Sequence, residues 1–256
     1  MNKSEKLADL RHFLARYGLP VDRPPIPLGC PAADAVLGGG LRPGAVHEVF
    51  AGDWGASGFA ACLAIRTIRA IQAARSKPLF WIRPDYEALE YGALSATGLL
   101  ELGGDPRNLF LLRAPNADDA LSAAADILAC PHVGAVVLEL CGAPRTLDLV
   151  ASRRLTLLAE ESGVTLFLLR EGAEPEPSAA ATRWQVMSLA SDPHDDDWGA
   201  PRFAARLTRH RLGALGDFTL EWNSEDGLFH PAAAHSGLVV SPPADRPAAA
   251  ARLRRA

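Results

Sequence analysis

The chain has 256 residues and a formal net charge of −4, which excludes both a short peptide and a nucleic-acid-binding polycation. Its hydrophobic content of 48% and charged content of 22% are typical of a globular chain that buries one full α/β core. No apolar stretch approaches the roughly 18 residues of a membrane span, and the N-terminus lacks the features of a signal peptide. The cysteines have no CxxC spacing, which indicates reduced thiols. These features predict a soluble, cytoplasmic protein with no membrane partner.

The N-terminal segment, residues 1–18, is predicted to form an amphipathic helix that stands apart from the main body. Its apolar residues recur at helical spacing on one face. Residues 19–27 follow as a proline-rich linker. The apolar face either packs on the protein's own core or binds another protein or a second copy of the chain. Its candidate partner-binding residues are Leu7, Leu10, Phe13 and Leu14.

The predicted core spans residues 28–231, and its strongest local signal is a strand, a glycine-rich turn and a helix at 46–74. Residues 28–44 precede this unit with a short helix and a loop of three glycines. In such a unit the glycines let backbone N–H groups wrap a phosphate at the helix N-terminus. The turn residues that would take this part are Gly52, Gly55, Ser57 and Gly58.

The residues that give a phosphate loop its chemistry are missing. The pattern G-x-x-x-x-G-K-[ST] needs Lys and Ser or Thr after its last glycine, where this chain has Phe59 and Ala60. Neither Lys3 nor Lys6 nor Lys77, the chain's three lysines, is placed to fill the gap. We therefore expect no catalytic residue, no bound cofactor and no ATPase activity. We also expect the apolar side chains of Trp54 and Phe59 to plug the cleft.

The rest of the core alternates apolar strands with helices. Strands are predicted at 79–83, 108–113, 133–140 and 164–169, and helices at 86–102, 118–129 and 146–162. Asn116 is the expected cap of the second helix, and Gly163 is the expected end of the third. Strands that are apolar on both faces imply a parallel sheet covered by helices on two sides. The predicted fold class is α/β.

The C-terminal part lacks helical segments. Strand candidates at 183–189, 202–209 and 218–223 are expected to pair antiparallel at one edge of the sheet. Between them, residues 192–197 are rich in Asp around His194, but the spacing matches no EF-hand loop, so no metal site is predicted. Residues 232–256 are predicted to be a disordered tail, and the candidate partner-binding residues there are Arg252, Arg254 and Arg255.

This order of elements, together with four motifs, resembles the RecA-like core. Residues 28–52, LGCPAADAVLGGGLRPGAVHEVFAG, are similar to the family's approach to its phosphate loop. Residues 81–88, WIRPDYEA, resemble the strand that ends in the catalytic glutamate, with Asp85 at that position. Residues 135–140, AVVLEL, resemble the Walker B strand, with Glu139 at its acid. Residues 206–222 are similar to the family's late strands. The resemblance implies a P-loop-type core in which these two acids are vestigial.

Within the SulA/RecA superfamily the chain most resembles the ImuA family, RecA-like accessory proteins of bacterial damage-inducible mutagenesis operons. The degraded loop, the N-terminal helix and the Arg-rich tail are the features that carry this resemblance. It implies a non-catalytic role in SOS-induced translesion synthesis. The implied partner is ImuB, a Y-family polymerase homologue, with RecA and a second copy of the chain as further partners. Two alternatives stay open, an ATP-dependent RecA-type recombinase and a SulA-like cell-division inhibitor.

Direct DNA binding is not expected. In RecA-like filaments two loops face DNA, and here the first interval, 141–148, is too short for a long mobile loop. The second interval, 171–183, opens with Glu171, Glu174 and Glu176, which would repel a phosphate backbone. The resemblance therefore implies only weak or indirect DNA contact, through the tail.

Overall fold

The computed structural model describes residues 23–52, 55–71, 77–86, 89, 92–191, 199–211 and 213–232. Several predictions lie outside these residues: the helix within 1–18, the side chain of Trp54, the acidic loop at 192–197 and the tail beyond residue 232. The end of the predicted linker is inside the described part. There Ile26 forms an isolated antiparallel bridge with Leu41 and is buried, so residues 26–27 are attached to the core.

The described strands form one mixed sheet with the order β3-β2-β4-β5-β1-β6-β7-β8-β9. The pairs from β3 to β6 are parallel, and the pairs from β6 to β9 are antiparallel. This confirms the α/β class and the mostly parallel sheet with an antiparallel C-terminal edge. The strands are β1 Val46–Ala51, β2 Leu79–Pro84, β3 Leu109–Ala114, β4 Ala135–Cys141, β5 Thr165–Glu171, β6 Thr182–Leu189, β7 Arg202–His210, β8 Gly216–Asn223 and β9 Leu228–Pro231.

Side-chain or glycine caps mark the ends of several described helices. The Asn116 side chain accepts a hydrogen bond from the Asp119 N–H, and Gly163 ends the last helix with a φ of 80°, as predicted for both. The described helices are α1 Pro31–Val36, α2 Ala56–Ala70, α3 Ala96–Glu101, α4 Ala117–Leu128 and α5 Leu149–Ser162, with a 3₁₀ turn at Pro106–Asn108.

Two apolar cores lie on opposite faces of the sheet. Successive strand residues point to opposite faces, so Trp81 belongs to the core under α2 and Ile82 to the core under α4 and α5. Helix α2 packs across β1, β4, β5 and β6, while α4 packs on β2, β3 and β4. The predicted cover of helices on both sides is confirmed.

One predicted helix, 86–102, is wrong in its middle. Residues 92–95 are not helical, and Gly92 has a φ of 76°, which ordinary side chains avoid. Helix α3 begins only after Ser95, whose hydroxyl accepts a hydrogen bond from the Gly98 N–H. A separate cap therefore starts a short second helix.

Two boundaries shift from the predictions for a clear local reason, and one short strand was not predicted. Helix α5 begins at Leu149 and not at 146, because the Asp148 carboxylate caps it by accepting from the Ala151 N–H. Strand β4 begins at Ala135 and not at 133, because the Val133 N–H is bonded to Cys130 in a turn. Strand β9 was not predicted at all, since its four residues are too few for a periodic pattern.

Candidate functional site

The candidate site is a cleft of about 1060 Å³ at the carboxyl ends of the central parallel strands. Its floor combines the first turn of α2, at Ser57 and Gly58, with the ends of three strands. These strand ends contribute Arg83 from β2, Glu139 from β4 and Glu171 from β5. Ligands of open α/β sheets bind outside the carboxyl ends of the strands, which makes this cleft the strongest candidate in the described part of the chain.

The glycine-rich turn is held by packing against the neighbouring strand β6. The Gly52 N–H donates to the Val186 carbonyl at 2.8 Å. A Cβ at Gly52 would lie 2.7 Å from Cγ of Met187 and 3.0 Å from the Val186 oxygen, so a larger residue would push β6 away. Gly52, the first glycine of the turn, thus has a packing role. At Gly58, by contrast, a Cβ would lie 3.8 Å from the nearest ring carbon of Phe203, which is an ordinary contact.

Phe59 points into the core under α2 and does not line the cleft. Its ring is fully buried and lies 5.3 Å, centroid to centroid, from the rings of Phe203 and Phe229, and 6.0 Å from Trp184. Ala60 is fully buried as well. The prediction that Phe59 plugs the cleft is therefore wrong. An aromatic ring at this position is stabilised by burial among other rings, whereas a lysine would turn toward a bound phosphate.

Glu139, the residue at the Walker B position, is tied to the neighbouring strand β2. Its Oε1 accepts from the Arg83 guanidinium at 2.9 Å, and its Oε2 accepts from the Trp81 indole N–H at 2.8 Å. Both side chains of the ion pair are only 4% exposed. Each Glu139 oxygen already has a donor, so this carboxylate is fixed by the sheet itself.

Asp85, the other acid that the RecA-like resemblance singles out, does not line the cleft. Its carboxylate accepts from Nε of Arg113, at the end of β3, at 2.8 Å. Both side chains are about half exposed, with 47% for Asp85 and 55% for Arg113. The structure therefore separates the two acids that the resemblance would have placed together, with Glu139 buried in the cleft floor and Asp85 paired at the sheet edge.

Glu171 is the cleft residue whose role the sequence did not reveal. It ends β5, is 8% exposed, and its Oε2 is buried with no hydrogen-bond partner. Burial raises its pKa to about 7, and the nearby Glu139 charge adds to this rise, while Arg83 opposes it. The sequence signal is an acid directly after an apolar strand, but the RecA-like comparison assigns that acid to an interval facing DNA.

The cleft as a whole is acidic. Three more carboxylates reach its wall, from Glu101, Glu221 and Glu225. Arg202 lies beside Glu221 and neutralises it. Among the described lining residues the one cation is Arg83, and it is already paired with Glu139. Such a field opposes a phosphate and favours a positively charged group.

The opposite face of the sheet holds a second set of buried charges that anchors the interval 171–183. Arg183 bonds Glu48 at 2.7 Å and also donates to the Glu176 carbonyl, so the interval is drawn onto the sheet. The guanidinium groups of Arg170 and Arg183 lie 5.5 and 5.2 Å from the ring centroid of Phe50. These contacts use the arginines structurally, while the side chains of Glu174 and Glu176 are exposed.

Two further features were considered among the described residues, a metal-binding group and a membrane-spanning helix. No group of three or more His, Cys, Asp or Glu side chains there can hold a metal ion. In the same residues no helix has the length and apolar character needed to cross a bilayer.

The sequence was also compared with known proteins. No protein-family model matches it, and no curated protein matches it. The topology of the chain and the geometry of its acidic cleft are therefore the basis for proposing a function.

Proposed function

We propose that the protein is a RecA-like accessory protein of the ImuA type, which acts in SOS-induced translesion synthesis through protein contacts and not through ATP hydrolysis. The main observation behind the proposal is where the residues after the turn between β1 and α2 are placed. A strand and a helix lie on either side of the glycine-rich turn, as the proposal requires, and Phe59 and Ala60 are buried in the core.

The RecA-like part of the proposal is supported by topology. Strand β1, which leads into the loop, lies between β5 and β6 near the centre of the sheet. The β4 strand that ends in Glu139 is separated from β1 by one strand, β5. The antiparallel strands β7 to β9 extend the sheet on the far side of β6. This mixed sheet, parallel through β1 and antiparallel beyond β6, supports the proposal of a RecA-like core.

The non-catalytic part is supported by charge. A triphosphate requires a lysine and a magnesium ligand in the loop, and this chain supplies neither. A nucleotide in the cleft would also meet the carboxylates of Glu139 and Glu171 with no unpaired cation among the described lining residues. These features disfavour the alternative of an ATP-dependent recombinase.

If the cleft does not bind nucleotide, the contacts that define the protein's role lie elsewhere. The sequence places them at the chain ends, in the apolar face of the N-terminal helix and in the Arg-rich tail. The proposed partners are an ImuB-like Y-family polymerase homologue, RecA and a second copy of the chain, with weak or indirect DNA contact. The residues that would make these contacts are Leu7, Leu10, Phe13, Leu14, Arg252, Arg254 and Arg255.

Co-purification tests this proposal directly. We expect the full chain to retain the ImuB-like partner, and a chain that lacks residues 242–256 to retain less of it at an unchanged melting temperature. Arg206→Gln, which removes an exposed arginine of β7, is the control for a general loss of positive charge and should leave retention unchanged. Failure of the full chain to retain the partner would contradict the proposal.

A further inference from the structure

We propose that the acidic cleft is a binding site for an organic cation, an ammonium or guanidinium group on an alkyl stem, with Glu171 as its counter-ion. This inference goes beyond the scaffold role, because it concerns the cleft and not the chain ends. It depends on described residues alone, and it can hold whether or not the partners proposed above are correct.

The two buried glutamates of the cleft differ in how fully their carboxylate oxygens are hydrogen-bonded. Glu139 has a donor on each oxygen, whereas Glu171 has a buried Oε2 with no partner. A buried carboxylate without a partner is destabilising, and a cationic donor is the group that relieves this most strongly. Arg83 does not supply this donor in the structure, because its two terminal nitrogens donate to Glu139 and to the Gly92 carbonyl at 2.9 Å, while its buried Nε has no partner.

The charged groups around Glu171 come from several elements that line the cleft. Strands β2 and β4 contribute the Arg83–Glu139 pair, which is neutral as a unit. Helix α3 contributes Glu101 and the turn after β8 contributes Glu225, whereas Glu221 of β8 is neutralised by Arg202. Ser57, from the first turn of α2, carries no charge. A ligand at Glu171 therefore meets a field that attracts cations and repels anions.

The cleft suits an organic cation better than a bare metal ion. The described residues contain no group of three side chains that can hold a metal ion, which disfavours a bare divalent cation. The cleft wall is partly apolar, with Leu94, Leu99, Leu102 and Trp222 among its residues. Apolar walls with a few polar groups suit an alkyl chain that ends in a charged donor. A cleft of about 1060 Å³ has room for such a ligand.

The test uses two probes of the same chemistry from different sources. Agmatine represents a free small-molecule cation, and N-acetylarginine methylamide represents an arginine side chain of a protein. Calorimetric titration of the full chain at pH 8 should show binding of at least one probe, and the tighter one indicates the source. Inorganic phosphate should not bind in the cleft.

Binding should be about tenfold tighter at pH 8 than at pH 6, because Glu171 is charged mainly above a pKa of about 7. Glu171→Gln should weaken binding at pH 8 at least tenfold and remove this pH dependence. Glu174→Gln, an exposed acid three residues along the chain, is the matched control and should bind as the unaltered protein does. Thermal melting of each variant verifies that it is folded.

Two results would overturn the proposal. One is the absence of binding by both probes at pH 8 to protein whose melting curve shows it to be folded. The other is equal affinity in the Glu171→Gln variant and the unaltered protein, since the cation would then lie elsewhere.

Discussion

Phe59 stands where the RecA-like resemblance would place a loop lysine, and its environment explains why a lysine alone would not restore that chemistry here. The ring is surrounded by Trp184, Phe203 and Phe229, which come from three strands of the C-terminal half. A lysine there would leave a cavity and bury a charge. The residue thus joins the loop region to the antiparallel edge of the sheet.

Phe59→Ala should lower the free energy of unfolding by about 3–5 kcal/mol, since it removes a fully buried aromatic ring. Urea unfolding at neutral pH measures this change. Phe110→Ala, at a ring that is 53% exposed on β3, is the control and should cost much less. A loss below about 1 kcal/mol for Phe59→Ala would contradict its placement in the core.

The burial of Glu171 predicts how the stability of the protein depends on pH. Its pKa rises from 4.5 to about 7 on folding, so the native state holds the proton more tightly than the unfolded chain does. Its contribution to stability is therefore present at low pH and is lost as pH rises from about 4.5 through 7. His47 acts in the opposite direction, because burial lowers its pKa to about 4 and its contribution is lost as pH falls below 6.5.

Comparison of Glu171→Gln with the unaltered protein isolates the glutamate, since His47 contributes equally to both. The stability of the variant relative to the unaltered protein should increase as the pH rises from 5 to 8, by up to about 3 kcal/mol. Urea unfolding across this range is the measurement. A difference that stays constant with pH would show that Glu171 titrates as an exposed glutamate does.

At the scale of elements, the features that could be predicted from sequence are those with local causes. The apolar strands, the Asn116 cap and the left-handed Gly163 each follow from a pattern within a few residues. The alternation of strands and helices predicts a parallel sheet with an antiparallel C-terminal edge, but not the order of its strands. Strand β9 is too short to produce a period, and its pairing with β8 depends on tertiary contact.

The site was harder to predict, because it depends on side-chain direction and on neighbours distant in sequence. The side chain of residue 59 can point toward the cleft or toward the core, and only the rings contributed by β6, β7 and β9 decide it. The partner of Glu139 is Arg83, 56 residues away on the adjacent strand. The burial of Glu171 likewise depends on the elements that cover the end of β5.

The helix predicted within residues 1–18 allows a test of partner contact at the scale of one element. Leu10→Asp together with Phe13→Asp should weaken self-association or binding of the ImuB-like partner, because both changes place a charge on the apolar face. Ala8→Asp together with His12→Asp adds the same charge on the opposite face and is the matched control. Light-scattering mass and pull-down of the partner are the measurements. Unchanged mass and unchanged pull-down in the Leu10 and Phe13 variant would count against the helix as a contact.

At the scale of the whole molecule, the position of the cleft contrasts with its charges. The cleft lies where open α/β sheets bind ligands, but its carboxylates oppose a nucleotide phosphate. The carboxyl ends of the parallel strands, where an anion would bind, carry Glu139 and Glu171 and one paired arginine. The sheet, the helices on both faces and the antiparallel edge are intact around this cleft. Both proposals follow from this contrast, since it moves partner contact to the chain ends and favours a cation in the cleft.

Calorimetric titration of the full chain with ATP and Mg²⁺ tests this contrast most directly. We predict no binding heat at nucleotide concentrations up to about 1 mM. An ATPase with an intact phosphate loop, titrated in the same buffer, verifies that the measurement detects binding. Saturable binding with a micromolar Kd would contradict the proposal that the loop has lost its nucleotide chemistry.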